Sequence, residues 1–376
     1  MKLAFALFNY FPYGGLQRNF LSIARACHER GHQVNAYAGA WEGPLPDWLT
    51  LTLLPWRGIA NHARAQRFAR HLQLALAEQP VDVVVGFNRL SGLDVYYAAD
   101  PCFLEKSAQD HGAWFRLTPR FRTYAAFERA VYGPDAATQI LAVAEAQIPH
   151  FRRWYDTPLD RFHVLPPGIQ RDRMAGDQAP EQRARVRASL SLQPHNHLLL
   201  MVGSGFRTKG VDRAVQVLAD LPESLASDTR LLVIGSDDPA PYLRQASRLG
   251  VAERVSFLPG QDDIPAFLQA ADALLHPAYH ENTGNVLLEA VVAGLPVLAT
   301  DVCGYAPYIT RADAGLVHAS PFERQRFAEQ TETLLTSSRR SQWRENGIRF
   351  GQTENLYHRA EFAATVIEQT GARHDR

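Results

Sequence analysis

The sequence predicts an α/β protein built from two doubly wound, Rossmann-like domains that face a cleft. The chain has 376 residues, which is longer than a domain with a single hydrophobic core usually is, so two domains of roughly 150–200 residues are expected. Short apolar runs alternate with helical stretches in both halves, as in parallel sheets covered by helices on both faces. The triplet Pro166-Pro167-Gly168 separates the two series, so the predicted domains are 1–168 and 169–351.

The first half contains seven candidate strands, each a short apolar or β-rich run. They are 3–8, 33–38, 51–54, 81–87, 94–99, 140–144 and 162–165. A glycine turn, Gly14-Gly15 within FPYGG, joins the first strand to a helix that ends at Gly31. Further helices are predicted over 61–78 and 147–155, so this half has the strand and helix alternation of a parallel sheet.

The second half repeats the alternation with six short apolar strands. They are 197–202, 230–234, 255–258, 273–275, 297–300 and 315–318. Helices between them predict a second doubly wound sheet. The intervening segment 177–188 is highly charged, and we expect it to be exposed, as part of a linker over residues 168–195.

The segment 201–210, MVGSGFRTKG, runs from the end of a predicted strand into a helix. It therefore lies at the carboxyl edge of the second sheet, where α/β proteins bind ligands. Arg207 as a bidentate fork and Lys209 as a point charge suit two phosphates. Alternatively both are surface cations at a helix start, although that position disfavours cations unless an anion binds there.

Residues 274–300 read as a strand, a polar loop, a helix that opens near Gly284 and another strand. Glu281 lies in the loop and Glu289 about two turns into the helix, so we expect both carboxylates in the same cleft. The amides that open the helix suit a phosphate or diphosphate. They belong to Gly284, Asn285, Val286 and Leu287. The alternative is that Glu289 faces solvent and Glu281 is only a helix-end charge.

Three further residues lie where ligands approach such sheets. The Gly15 turn lets a phosphate or sugar come close to the backbone, or it is a tight turn and no more. Asp100 follows a predicted strand and could hold acceptor hydroxyls, or it is a turn acid. Arg173, just beyond the domain boundary, is placed to contact a diphosphate.

Residues 102–132 differ in amino-acid composition from the rest of the chain. Seven aromatic residues are interleaved with five basic ones, against three acidic residues. Rings settle at headgroup depth and cations meet lipid phosphates, so this composition favours an anionic membrane surface or an anionic acceptor. The alternative is a helical hairpin whose aromatic rings are packed.

Composition excludes several classes of function. The 39 basic and 39 acidic residues balance, so no general attraction to nucleic acid is expected. Three isolated cysteines fit a reducing compartment. The apolar start is interrupted at Asn9 and reads as a first strand, not a signal peptide. No stretch approaches the ~18 apolar residues of a membrane span, so a cytoplasmic protein is expected.

The pattern Glu281-x7-Glu289, written ENTGNVLLE and followed by alanine, resembles the retaining glycosyltransferases of family 4, which have the two-Rossmann GT-B architecture. Further stretches resemble the members that add glucose to a heptose of the lipopolysaccharide inner core. They are FPYGGLQRNF, GFNRLSGLDVYYAAD, YAAFERA, LPPGI, KGVDR, HPAYHE and VCGYAPYI. The resemblance implies that 1–168 binds the acceptor, that 169–351 binds the nucleotide sugar, and that the terminal helix within 352–376 crosses back to the first domain.

The chemistry that this resemblance implies is transfer of glucose from UDP-glucose, with retention and without a metal or cofactor. Lys209, Arg207 and the helix amides would hold the diphosphate. Glu281 would hold the sugar hydroxyls and Glu289 the ribose. Matching positions also place Gly15 and Asn19 over the donor and Gln261 beside the uracil. The chain departs from the usual family residues at Asn19, Thr208 and Gln261.

Location at the inner face of the bacterial inner membrane follows from this resemblance, with 102–132 as the membrane contact. Three rivals stay open on the residues alone. One is a family-4 enzyme with a different donor or acceptor. Another is a hydride-transfer enzyme with two Rossmann domains, which the missing G-x-G-x-x-G disfavours. The third is a sugar-binding protein without catalysis.

Overall fold

A computed structural model describes residues 1–12 and 14–374 of the chain. Tyr13, in the predicted glycine turn, and Asp375 and Arg376, at the end of the predicted terminal helix, lie outside the described residues. The chain forms two compact units. The first comprises Met1–Gly168 with His358–Arg376, and the second comprises Ile169–Tyr357.

The first unit is built on a seven-stranded sheet. Its strands are β1 (Lys2–Tyr10), β2 (Gln33–Trp41), β3 (Thr50–Leu53), β4 (Val83–Gly86), β5 (Val95–Ala98), β6 (Gln139–Ala142) and β7 (Phe162–Val164). They pair in parallel in the order β3-β2-β1-β4-β5-β6-β7. The order reverses between β1 and β4, and α/β sheets form ligand crevices at such a switch point.

The second unit has a six-stranded parallel sheet. Its strands are β8 (His197–Val202), β9 (Thr229–Ile234), β10 (Val255–Leu258), β11 (Ala273–His276), β12 (Val297–Thr300) and β13 (Gly315–His318). The order is β10-β9-β8-β11-β12-β13, so the chain reverses between β8 and β11. The α/β class and the two doubly wound sheets predicted from the sequence are confirmed.

Helices connect the strands and cover both faces of each sheet. They are α1 (Gly15–Glu29), α2 (Asn61–Glu78), α3 (Phe103–Asp110), α4 (Pro119–Tyr132), α5 (Ile148–Tyr155), α6 (Ala179–Ser189), α7 (Val211–Asp220), α8 (Glu223–Ala226), α9 (Ala240–Arg248), α10 (Ile264–Ala270), α11 (Asn285–Val292), α12 (Ala306–Ala312), α13 (Arg324–Thr336), α14 (Arg340–Thr353) and α15 (Arg359–His374). Single 3-10 turns span Ala113–Leu117, Glu145–Gln147, Leu159–Arg161, Arg171–Arg173 and Ala252–Arg254.

The terminal helix α15 belongs to the first unit, as the sequence predicted. Ala363, Ala364 and Ile367 are fully buried and pack in one core with Phe5 of β1 and Phe20 of α1. The opposite face of this sheet buries a second core against α2, α4 and α5. Two apolar layers around one sheet explain why its strands are continuous apolar runs.

The predicted exposure of residues 177–188 is confirmed for most of the segment, because seven of its twelve residues are exposed. Helix α6 spans most of this segment and packs on α10, with Arg187 only 8% exposed. Arg187 donates to the Asp272 carboxylate at 3.1 Å and to the carbonyl of Asn196 at 2.6 Å. A long arginine stem can be buried when its guanidinium is paired, so Arg187 is an exception within a largely exposed segment.

Residues 102–132 fold as α3, a 3-10 turn and α4. Glu128 of α4 is completely buried and accepts hydrogen bonds from the first amides of α3, from Phe103 at 2.7 Å and Leu104 at 3.1 Å. Arg89 pairs with the same carboxylate at 2.7 Å. The ion pair joins the segment to the loop that follows β4. It also explains how the carboxylate of Glu128 can be buried, because the charge is paired.

Candidate active site

The loops that follow β8 and β11 lie side by side at the carboxyl edge of the second sheet. Their strands are neighbours, and the loops lead to helices that follow the point where strand order reverses. Two hydrogen-bond sets join them. The amide of Tyr279 donates to the carbonyl of Thr208 at 2.8 Å, and Arg213 Nη1 donates to the carbonyls of Pro277 and Ala278 at 3.1 and 3.0 Å. These hydrogen bonds therefore join the two loops into one rim.

The loop between β8 and α7 holds Lys209 in place. The amides of Gly205 and Phe206 both donate to Asp237 Oδ2 at 2.9 Å, and the Lys209 amide bonds to the carbonyl of Gly205 at 2.9 Å. At Gly203 φ is 119°, and a Cβ atom there would lie 2.8 Å from Lys209 Cε. Only glycine leaves room for the lysine stem at this position.

Lys209 forms an ion pair with Glu281. Its Nζ atom lies 2.6 Å from Glu281 Oε2, and the two side chains are 19% and 18% exposed. Burial alone would raise the pKa of Glu281, but the contacts from His276 and Lys209 outweigh burial and lower that pKa to about 2. The carboxylate is therefore ionised at neutral pH and acts as a hydrogen-bond acceptor.

His276, the last residue of β11, lies beneath this ion pair. The side chain is 1% exposed, and its Nε2 atom is 3.4 Å from Glu281 Oε2. Burial lowers the pKa of His276 against the opposing effect of Glu281, and Lys209 lowers it further. The imidazole is therefore neutral at neutral pH.

Helix α11 opens beside Glu281. Gly284, in the left-handed conformation with φ of 87°, precedes the helix, and no side chain caps it. A Cβ atom on Gly284 would come within 3.3 Å of Glu281 Cγ. The Leu287 amide bonds to the carbonyl of Gly284 at 2.9 Å, while the amides ahead of it open the helix. Lys209, Glu281 and this positive helix end thus share one edge of the sheet.

Glu289 lies on the same helix, with its side chain 17% exposed. Because α11 begins at Asn285, Glu289 is its fifth residue and stands little more than one turn in, nearer the helix start than predicted. Arg173, from the turn Arg171–Arg173, is buried, and its Nε atom lies 3.9 Å from Glu289 Oε1. Asp172 Oδ1 is 3.6 Å from the same nitrogen.

The lipopolysaccharide glucosyltransferase WaaG of Escherichia coli (strain K12) is 46% identical to this chain over 368 residues, which cover 98% of each protein. The chain belongs to the family-4 glycosyltransferases. The profile of Glycosyltransferase Family 4 matches residues 13–173, and that of glycosyl transferases group 1 matches residues 182–350.

Solved structures agree with the fold of this glycosyltransferase. The crystal structure of WaaG, a glycosyltransferase involved in lipopolysaccharide biosynthesis, matches with a TM-score of 0.91 and 45% identity, covering 97% of this chain and 99% of that chain. Sucrose-phosphate synthase from Thermosynechococcus elongatus shares the fold at 17% identity and a TM-score of 0.76, covering 100% and 99%. The predicted GT-B fold is confirmed, and the hydride-transfer alternative is set aside.

Two other candidate residues of this glycosyltransferase lie on the same edge of the second sheet. Arg207 is exposed on the loop that holds Lys209, and it has no carboxylate partner within the described part of the chain. Gln261 follows β10 and donates to the carbonyl of Pro259 at 3.1 Å. The Arg207 guanidinium is thus available to an anion, whereas the Gln261 amide group is engaged in its own loop.

The candidate residues of the first unit lie at the carboxyl edge of its own sheet. Gly15 is the first residue of α1 and is exposed, with open space where a Cβ atom would stand. Asn19 donates to the carbonyl of Gly15 at 2.8 Å and accepts from Arg359 of α15 at 3.3 Å. Asp100 is exposed just beyond β5. The two loops therefore present a glycine and a carboxylate at one edge.

Sequence reasoning did not identify His276 or Asp237 as part of the site. Both lie at the carboxyl end of a parallel strand, His276 as the last residue of β11 and Asp237 shortly after β9, and that position was the available signal. Asp237 supports the loop around Gly205 through two amide bonds, and His276 contacts Glu281. Neither role follows from residue type, because Asp237 reaches the Gly205 loop through the pairing of β9 with β8, and His276 reaches Glu281 through the path of the loop after β11.

Proposed function

We propose that this glycosyltransferase moves glucose from UDP-glucose to a heptose of the lipopolysaccharide inner core, with retention at the anomeric carbon. The observation that supports it most is the 46% identity, over 98% of both proteins, to a lipopolysaccharide glucosyltransferase. The pair of Lys209 and Glu281 beside an uncapped helix start adds the chemistry that a nucleotide sugar requires.

The proposed donor site binds the diphosphate through positive groups. Lys209 and Arg207 neutralise its charge, and the opening amides of α11 donate to its oxygens. These amides belong to Gly284, Asn285 and Val286, whereas the amide of Leu287, also predicted to contact the diphosphate, already donates to the carbonyl of Gly284. Arg173 adds a further cation near the helix, beside Glu289. UDP-glucose is a substrate here, and no cofactor or metal takes part, because the protein's own cations and the helix dipole hold the leaving charge.

The two acids bracket the donor in this proposal. Glu281, already ionised, accepts hydrogen bonds from the glucose hydroxyls, and Glu289 accepts from the ribose. Gln261 lies next to the uracil, and Gly15 and Asn19 contribute the loop that closes over the donor. Asp100 holds hydroxyls of the acceptor at the carboxyl edge of the first sheet.

During transfer the bond between the anomeric carbon and the diphosphate oxygen breaks as an oxocarbenium-like centre develops. The acceptor oxygen bonds to that carbon on the same face, and its proton passes to the departing diphosphate. Lys209, Arg207 and the α11 amides stabilise the charge that builds on the diphosphate. The rate enhancement then comes mainly from electrostatic stabilisation and positioning, since no residue is assigned as a covalent nucleophile.

The acceptor carries lipid, and we propose that residues 102–132 hold the enzyme on an anionic membrane surface. Trp114 is 83% exposed and Leu117 is 57% exposed on the 3-10 turn between α3 and α4. Arg116, Arg120 and Arg122 are exposed around them. Apolar groups beside cations suit the headgroup region of an anionic bilayer.

Part of the same segment is packed, as the alternative interpretation predicted. Phe127 and Tyr132 are buried, and the rings of Phe103, Phe115 and Phe121 contact one another, with centroids 5.6 Å apart for Phe103 and Phe121. Packed aromatic rings beneath an exposed 3-10 turn are compatible with binding to a membrane surface.

In the described residues, no helix is sufficiently long and apolar to traverse a bilayer. We propose a peripheral location at the cytoplasmic face of the inner membrane.

The test is a transfer assay with purified protein, UDP-glucose and heptose-terminated core, read by mass. Addition of one hexose, with α-configuration by NMR from the α-linked donor, is the expected result. Other nucleotide sugars and a core lacking the terminal heptose serve as parallel reactions. Transfer from another donor, or to another acceptor in preference to these, would replace the proposed substrates while leaving the enzyme class unchanged.

A further inference from the structure

His276 has an unusual position for a histidine. It is completely buried at the end of β11, and neither ring nitrogen has a hydrogen bond of good geometry with the described residues. Buried polar atoms in native proteins are almost always paired, so such a ring requires an explanation. Glu281 Oε2 lies 3.4 Å from Nε2.

The charges that face the imidazole are those of the donor site. Glu281 supplies the carboxylate and Lys209 the ammonium, and these two bind each other at 2.6 Å. The Cys303 thiol, which is 3.8 Å from Thr300 Oγ1, is kept protonated because burial raises its pKa to about 12. Among the described residues, Glu281 is thus the anion that acts on the ring.

We propose that His276 is a positioning residue, which holds Glu281 in its sugar-binding orientation when Lys209 turns to the diphosphate of the donor. This proposal rests on the proposed function, because it assigns the diphosphate to Lys209 and the sugar to Glu281. Lys209 Nζ lies 2.6 Å from the carboxylate oxygen, and His276 Nε2 lies farther from it, at 3.4 Å. A bound diphosphate competes for the ammonium protons.

The imidazole is suited to replace Lys209 as the hydrogen-bond donor to Glu281. Because it is neutral, it does not repel the ammonium of Lys209, so both groups can lie beside the same carboxylate oxygen. With its proton on Nε2 it can donate to Glu281 Oε2, and Nδ1 then carries only a lone pair, which costs less to leave unpaired than an N–H group. A movement of a few tenths of an ångström changes the 3.4 Å contact into a hydrogen bond. Glu281 therefore keeps a donor throughout turnover.

Two variants test the role of the ring. His276→Leu removes the donor, and His276→Gln places an amide N–H near the position of Nε2. His276→Leu is expected to lower kcat/KM for UDP-glucose about 10–100-fold, as for the loss of a hydrogen bond to a charged group, while calorimetry finds UDP affinity unchanged. His276→Gln restores most of the activity. Thermal unfolding of both variants checks that the fold is kept.

The pH profile separates positioning from packing. Because the proposed hydrogen bond from His276 to Glu281 forms in the complex with the donor and lowers the pKa of Glu281 there, the acid limb of kcat moves to higher pH in His276→Leu and returns in His276→Gln. Full activity in His276→Leu would overturn the proposal. Equal loss of UDP and UDP-glucose binding, or equal defects in both variants, would also overturn it, because these outcomes indicate a packing role.

A spectroscopic test does not depend on transfer. In protein labelled with ¹⁵N-histidine, addition of UDP is expected to move the His276 Nε2–H proton downfield as its hydrogen bond to Glu281 shortens. No change of that resonance upon saturation with UDP would contradict the exchange. If UDP-glucose is not a donor at all, the proposed function fails in the transfer assay, whereas the UDP response of the ring still decides the role of His276.

Discussion

Lys209 Nζ and Glu281 Oε2 are 2.6 Å apart, which joins the end of the β8 loop to the end of the β11 loop through an ion pair. The lysine proposed to neutralise the leaving group is thereby held against the acid proposed to bind the sugar. Both residues are partly buried, so the pair is stronger than an exposed salt bridge. When a nucleotide sugar binds, Lys209 must turn to the diphosphate and Glu281 to the glucose hydroxyls.

Lys209→Ala should lower kcat about 10²–10³-fold, because one preorganised charge on a developing anion contributes that much. Steady-state transfer of labelled glucose measures the effect. Lys2→Ala, which removes a lysine on the exposed first residue of β1, is the matched control and should transfer at the wild-type rate. A Lys209→Ala enzyme with near-normal kcat would show that the lysine serves only to pair with Glu281.

Glu289→Ala should weaken UDP binding about 10–100-fold if its carboxylate accepts from the ribose hydroxyls. Titration calorimetry with UDP gives the dissociation constant directly. Glu345→Ala, an exposed acid on α14, is the control for a general change in charge. UDP affinity equal to that of the wild type would remove Glu289 from the ribose site and leave it as the partner of Arg173.

Asp272→Asn should destabilise the second unit by about 3–5 kcal/mol, the cost of breaking a buried ion pair. Asp272 accepts from Arg183 at 2.7 Å, from Arg187 at 3.1 Å and from the Leu198 amide at 2.8 Å. Chemical denaturation measures the free energy of unfolding. Asp228→Asn, at a half-exposed carboxyl group, should change it by less than about 0.5 kcal/mol.

The same carboxylate predicts a dependence of stability on pH. Burial alone would raise the pKa of Asp272, but its arginine partners outweigh burial and lower that pKa below the usual 3.8. A lowered folded-state pKa stabilises the protein above the unfolded-state value. The contribution of Asp272 should therefore be complete above about pH 4 and be lost as pH falls through the lowered pKa. If the free energy of unfolding changed with pH by the same amount in the wild type and in Asp272→Asn across this range, the prediction would be contradicted.

Replacing Arg116, Arg120 and Arg122 by Gln should reduce binding to vesicles that contain phosphatidylglycerol, by about 1 kcal/mol for each cation removed. Co-sedimentation at low and high salt measures this effect, and added salt should weaken binding of the wild type because it screens the charges. Vesicles of phosphatidylcholine should bind both proteins equally weakly. The control variant carries the same number of changes on other exposed arginines, Arg25, Arg67 and Arg70. Equal binding of both variants would favour a packed hairpin without a membrane role.

Local patterns in the sequence were sufficient for the fold. Continuous apolar runs predicted the buried strands, and the helix over 61–78 was predicted with the bounds that α2 has. Strand ends followed by glycines predicted that Lys209, Glu281 and Gly284 share one edge of a sheet. These predictions succeed because side-chain periodicity and glycine conformation are properties of short segments.

Pairing between distant side chains was decided by tertiary structure alone. The sequence did not indicate that Lys209 binds Glu281, that His276 lies beneath them, or that Arg187 is buried against Asp272. The contacts of Lys209 with Glu281 and of Arg187 with Asp272 join residues that are far apart in the chain. His276 and Glu281 are close in sequence. The contact of Lys209 with Glu281 exists because β8 lies next to β11, and that of Arg187 with Asp272 because α6 packs on α10. Both arrangements depend on the packing of whole sheets and their helices, which no local pattern of residues encodes.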